Sequence, residues 1–224
     1  MEDFLPALLK SALFSGAGED DIRGMLGCLG ARREKYDRGE FILRAGDAVD
    51  SLGLLLSGSA LVVEEDFWGE RNLMARVEPG DVFAESFACS PGTRLTVGVE
   101  AESACGVMWL EVRRIFTACP SACPRHSLVT RNLLSCIAQR NLRLSEKLTH
   151  MGRRTTREKL LSYLSAEASR AGSPDFTVPF SRQQLADYLG VERSAMCAQL
   201  GRLRDEGVLK FEKERFVLLQ PREA

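Results

Sequence analysis

Between Ala31 and about Val112 the chain never runs far without a turn. Short β-rich runs, "FILRAGD", "SLGLLLSGSALVVEED", "WGERNLMARVEPGD", "LTVGVEAES" and "CGVMWLEV", are punctuated by Gly46, Gly58, Gly69, Gly80 and Gly92. Leu95, Val97, Val99 and Ala101 alternate with Thr96, Gly98 and Glu100, the period of a half-buried strand. Many short strands with a turn after each predict a closed antiparallel roll or barrel rather than an open sheet.

The flanking segments have a different period. Residues 1–30 read as helix, with Ile22, Met25, Leu26 and Leu29 on one face. From about Pro124 to Met151 the pattern is a heptad row. Thr130, Ile137, Leu144 and Met151 recur every seventh residue, with Leu134, Asn141 and Leu148 interleaved. Such a row predicts a seam between two copies of one helix, with the interface on Leu134, Ile137, Asn141, Leu144, Leu148 and Met151, although packing against the protein's own roll could also produce it. Asn141 within it would fix register at some cost in stability.

Gly152 interrupts the helix and a new one follows, closed by Gly172-Ser173-Pro174. "FTVPF" reads as a short strand, and "GVLKFEKERFVLL" as a hairpin turning at Glu212–Arg215. Between them lies "LADYLGVERSAMCAQLGRL". Ser181 can cap a helix that buries Leu185, Ala186 and Leu189, Gly190 can turn, and a second helix buries Met196, Leu200 and Leu203. Helix, strand, two helices and a hairpin make a winged helix-turn-helix. The fold class is therefore α+β. An N-terminal antiparallel, jelly-roll-like β-roll spans 1–112, a connecting and dimerisation helix 113–152, and a winged helix-turn-helix 153–224.

Docked as such modules dock, the start of the second helix meets base edges in the major groove. Arg193 can pair with guanine O6 and N7, Ser194 with a base or a phosphate, and Cys197 and Ala198 can touch a thymine methyl. Ser181, Arg182, Gln183 and Arg202 are candidates for phosphate contacts, which position rather than read. Charge points the same way. Residues 153–224 carry 13 Lys/Arg against 10 Asp/Glu, although the whole chain has a net charge of −1.

The order of these parts resembles the CRP/FNR family of bacterial transcription regulators. The stretches that carry the resemblance are "YDRGEFILRAGDAVDSLGLLLSGSALVVEED", "VEPGDVFAESF" and "SRQQLADYLGVERSAMCAQLGRLRDEGVL". The resemblance implies a cytoplasmic homodimer on a near-palindromic double-stranded site, working with RNA polymerase and answering a small effector or redox signal in the roll. Members that bind cyclic nucleotides carry a glycine–glutamate pair after the "PGD" turn, and an arginine ten residues past that glutamate. Here the pair is Ala84–Glu85, the arginine position is Leu95, and Arg94 sits one residue early, on the opposite face of a strand. A threonine–serine pair on the long helix is replaced by Leu144–Ser145. An effector pocket is expected at Ala84, Glu85, Ser86, Arg94, Leu95, Thr96, Leu144 and Ser145, with cyclic AMP disfavoured because the phosphate contact is lost.

The sequence does not name the effector: an organic molecule in an apolar pocket lined from the roll and the long helix is the default, with a cyclic nucleotide, haem or a thiol redox signal as alternatives. The seven cysteines are scattered, and Cys28 alone lies where an iron–sulfur cluster would sit. His126 and His150, the only histidines, fall on the long helix, so a haem ligand is not expected. "CPSACPRH" spaces Cys119, Cys123 and His126 as C-x3-C-x2-H, which could give three ligands to a metal or two thiols to a redox switch, although its two prolines favour a structural loop. A cupin-type enzyme needs clustered histidines, and residues 31–112 contain none. No apolar run reaches the ~20 residues of a membrane helix, and the acidic N-terminus is unlike a signal peptide.

Overall fold

The computed structural model describes residues 4–69, 71–117 and 124–219. The chain forms two compact units, Met1–Asn141 and Leu142–Ala224.

The first unit is a roll of two four-stranded antiparallel sheets. One sheet has the order β1 (Arg32–Tyr36), β8 (Cys105–Glu111), β3 (Ser51–Ser57) and β6 (Val82–Phe83). The other has β2 (Phe41–Leu43), β7 (Gly98–Ala101), β4 (Ala60–Glu65) and β5 (Arg71–Val77). β3 is apolar on both faces because both are covered. Leu55 points into the roll with Val62, Phe83, Val99 and Val107. Leu52, Leu54 and Leu56 point outward, under a layer of helices. That layer holds α1 (Leu5–Lys10), α2 (Glu19–Cys28) and α4 (Val112–Phe116), with Val129 and Leu133 from α5 (Pro124–Met151).

Gly53 has a packing reason to lack a side chain. It pairs with both Trp109 and Phe83 across the sheet, and the Phe83 ring lies over it. A Cβ there would stand 2.2 Å from the ring.

The second unit is the winged helix-turn-helix. A capping box starts α6 (Thr156–Ala171): the Thr155 hydroxyl accepts from the Glu158 amide, and Glu158 answers at the Thr155 amide. Gly172 ends it in the left-handed conformation, φ 62°. β9 covers Asp175–Thr177, one residue earlier than "FTVPF" suggests and stopping before Pro179, which cannot donate to a ladder. Ser181 and Gln184 form a second capping box at α7 (Arg182–Leu189), and Gly190 turns the chain at φ 58° into α8 (Arg193–Asp205). Met196, Leu200 and Leu203 of α8 are buried with Leu185, Ala186 and Leu189 of α7. The hairpin β10 (Leu209–Glu212) and β11 (Arg215–Leu218) completes a sheet of order β10-β11-β9, with Phe176 and Phe216 stacked at 6.2 Å.

The glycine at 53 yields a direct test. Gly53→Ala should destabilise the roll by about 1–3 kcal/mol through overpacking against Phe83, seen as a lower urea midpoint. The double variant Gly53→Ala/Phe83→Leu should recover most of the loss.

Candidate functional site

Two regions concentrate chemistry, one in each unit. The first is a cavity in the roll, lined by Val62, Ala84, Glu85, Ser86, Leu95 and Arg140, with Phe87, Val97 and Val99. The open space inside is about 30 Å³, enough for a water-sized body and far below a nucleotide. Ala84 opens the turn into α3 (Glu85–Ala88) with φ 60° and ψ 6°. That is the left-handed region, where glycine is unstrained and alanine costs roughly 1–2 kcal/mol.

Glu85 follows with its side chain only 1 % exposed. A carboxylate so deep needs a partner, and Arg140 of α5 supplies one. A single nitrogen, Nη1, lies 3.1 Å from each carboxylate oxygen. Burial and the neighbouring Glu85 carboxylate push the Cys89 thiol pKa up, so it stays protonated at neutral pH.

The structure places some of the expected pocket residues elsewhere. Leu95 lines the cavity, but Arg94 faces away and donates to the Gly46 carbonyl at 2.7 Å. Thr96 is exposed. Leu144 and Ser145 are exposed residues of the second unit. Arg140 is the group that sequence reasoning missed. It ends an inward row, Val129, Leu133, Ile137 and Arg140, which shares Ile137 with the heptad row. The row is legible at i, i+4, i+8 and i+11 once a second buried face is sought.

The heptad positions divide accordingly. Leu134 and Leu148 are about 70 % exposed, at 67 % and 70 %, and Leu144 and Asn141 are exposed too. Ile137, by contrast, packs against the roll's outer core. Thr130 is turned inward, its hydroxyl donating to the Ile115 and His126 carbonyls. Met151 is half-buried, with its methyl close to Gly190. The seam that remains open on α5 is Leu134, Asn141, Leu144 and Leu148.

The second region is the face of α7 and α8. Arg193, Ser194, Cys197, Ala198 and Arg202 are all exposed along α8. The Ser194 hydroxyl donates to Glu192 at 2.7 Å, and the Gln183 amide donates to Asp187 at 2.7 Å. The Ser181 oxygen accepts from the Gln184 amide as the cap of α7. Arg182 is committed to the wing. Its guanidinium lies over the Phe216 and Phe211 rings, at 4.7 and 5.1 Å, and donates to the Lys213 carbonyl at 2.5 Å. Burial there lowers its pKa. These contacts tie the start of α7 to the wing.

Cys119 and Cys123 lie outside the described residues, and His126 is a buried residue of α5. His150, also buried, has Nδ1 2.8 Å from the Ser162 hydroxyl and its ring edge-on to Tyr163. Among the described residues no cluster of His, Cys, Asp or Glu could hold a metal ion, and no helix is long and apolar enough to cross a membrane.

A β-roll with an internal cavity and a winged helix-turn-helix on one chain define the architecture of a DNA-binding regulator. Comparison with known proteins agrees. Residues 33–119 match the cyclic nucleotide-binding domain and residues 158–223 match the Crp-like helix-turn-helix domain. The chain is 26 % identical over 194 residues to the transcriptional activator protein FnrL of Cereibacter sphaeroides, covering 82 % of this chain and 75 % of that one. It is 25 % identical over 202 residues to the cyclic AMP receptor protein of Thermus thermophilus, covering 89 % and 88 %. The solved structure of FixK2 from Bradyrhizobium japonicum has the same fold, with TM-score 0.64 at 23 % identity over 86 % of this chain and 93 % of that one. The chain belongs to the CRP/FNR family and is a transcription regulator of that type.

The burial of His150 lowers its pKa, despite opposing pulls from Glu146 and Glu167. The folded-state value lies below the unfolded one, about 6.5. Its neutral form therefore contributes stability that is whole above the unfolded pKa and declines as pH falls through it. Urea midpoints at pH 7.5 and 5.5 should separate more for the wild type than for His150→Gln; equal separations would refute the assignment.

Proposed function

We propose that the chain acts as a homodimer that binds a near-palindromic DNA site through α8 and is gated by a small effector held in the roll. The carrying observation is the exposed start of α8, Arg193, Ser194, Cys197 and Ala198, set on a buried Met196–Leu200–Leu203 spine beside a capped α7. Arg193 carries the direct readout, bonding guanine through two nitrogens. Ser194 joins it when DNA displaces Glu192 from its hydroxyl. Arg202 and Gln183, with Ser181 at the helix start, position the module on phosphates. Cys197 and Ala198 offer only apolar contact, so DNA shape must carry part of the specificity.

The functional division follows residues 1–112 as sensor, 113–152 as connecting and dimerisation helix and 153–224 as DNA-binding module. Leu134, Asn141, Leu144 and Leu148 are the seam, since they are apolar or register-setting and open to solvent on α5. Two-fold pairing there would present two α8 helices to half-sites about one DNA turn apart. The regulator works in the cytoplasm, without enzymatic activity, and acts with RNA polymerase; its relatives named as activators favour activation.

The cavity's expected effector is not a cyclic nucleotide, because Leu95 stands at the position of the phosphate arginine. Glu85 and Arg140 are its polar floor.

A gel shift on the DNA upstream of the chain's own gene should show one specific complex that weakens steeply with salt. Arg193→Ala should cost about 1–3 kcal/mol and relax preference at one base pair per half-site. A uniform loss across all sequences would instead make Arg193 a phosphate contact. Leu134→Glu combined with Leu148→Glu should give monomers by sedimentation and lose operator binding, while the roll and the helix-turn-helix stay folded. A dimer that survives both changes would place the interface elsewhere.

A further inference from the structure

We propose that the roll cavity takes a small organic cation with a flat, two-donor head, an amidinium or guanidinium on a short apolar body. That head replaces the Arg140 guanidinium on Glu85. The proposal rests on the reading of the roll as the sensing unit and names the class of ligand for that site.

The two charges of the cavity are not equally replaceable. Glu85 is short, belongs to α3 and is only 1 % exposed, so its carboxylate cannot leave. Arg140 reaches in from α5 on a long stem and is 30 % exposed, so it can swing to water with its charge intact. Removing the cation without a substitute would strand a buried carboxylate, which is strongly unfavourable. A second cation in its place removes that penalty.

The present pair is a poor fit. One Arg140 nitrogen serves both Glu85 oxygens at 3.1 Å. A guanidinium meeting a carboxylate as two parallel N–H···O bonds does so at about 2.7–2.9 Å and with more energy. A ligand not tethered to a helix can adopt that fork.

The walls set the rest of the ligand. Val62, Phe87, Leu95, Val97 and Val99 are apolar, and Arg140 is the one cation among the described lining residues. An anion would have to share that cation with Glu85 and sit beside its negative charge. The apolar body would need the space that Arg140 vacates, since the cavity as it stands holds only a water-sized body. The displaced side chain belongs to α5, whose following turns carry Leu144 and Leu148. A ligand that prefers the state with Arg140 expelled would therefore bias the helix carrying the seam.

The test is calorimetric titration of the full chain with benzamidinium and with methylguanidinium chloride, against benzoate, cyclic AMP and sodium chloride. One benzamidinium per chain is expected, with benzoate and cyclic AMP silent. Glu85→Gln, which keeps size and removes charge, should weaken binding at least about tenfold. Arg140→Met should tighten it by a similar factor, since the competing internal cation is gone. If Arg140→Met fails to fold, Arg140→Lys serves, because a point charge cannot make the fork and yields more readily. Circular dichroism melts confirm that each variant is folded. Preferential binding of benzoate or cyclic AMP, unchanged binding in Glu85→Gln, or weaker binding in the Arg140 variant would each overturn the proposal. A gel shift with and without saturating benzamidinium separates the two readings. Calorimetry judges the ligand class, whereas absence of specific DNA binding in every state speaks against the regulator mechanism alone.

Discussion

The structure depends on the double coverage of one strand. β3 presents Leu52, Leu54 and Leu56 to one side and Leu55 to the other, and all four are essentially withdrawn from water. Each such side chain contributes roughly 1.5–3 kcal/mol on burial, but only if both faces find a partner. The roll supplies one partner through its own closure. The other must be built from outside it, by the N-terminal helices and by Val129 and Leu133 of α5. The long helix is thus anchored to the sensor by the same strand whose inner face helps close the roll. Arg140 is placed two turns further along this anchored stretch, beside Glu85.

The roll was legible in the sequence because its turns are marked by glycine and its strands alternate. The helix-turn-helix was legible because Gly190 separates two stretches with clear inward rows. Three things were harder. β1, with the sequence "RREKY", is an edge strand of exposed residues and offers no apolar alternation to see. The heptad reading of α5 followed one stripe where the helix has two: Thr130 and Ile137 also turn toward the first unit's core, and Met151 is half-buried. A period of seven and a period of 3.6 share many positions over four turns, and only the second stripe tells them apart.

Ala84, Glu85, Ser86 and Leu95, singled out in the sequence, line one cavity, yet Arg140 escaped notice. Its partner is 55 residues away in sequence, and no local pattern pairs a carboxylate after a turn with an arginine on a distant helix. Arg182 escaped in a similar way. At the start of a helix in a basic module it looks like a phosphate contact, and only the fold brings Phe211 and Phe216 beneath it.

That arrangement has a mechanical meaning. Arg182 opens α7 and at the same time clamps the wing by its stacking and its bond to the Lys213 carbonyl. Wing and helices are thereby joined into one stiff reader, with little freedom to adjust its parts separately to an imperfect operator. On the proposed reading, a site of differing sequence would have to take up the strain in the nucleic acid. Discrimination among operators then becomes a matter of which duplexes bend and narrow cheaply, a currency in which a helix with few hydrogen-bonding side chains loses nothing.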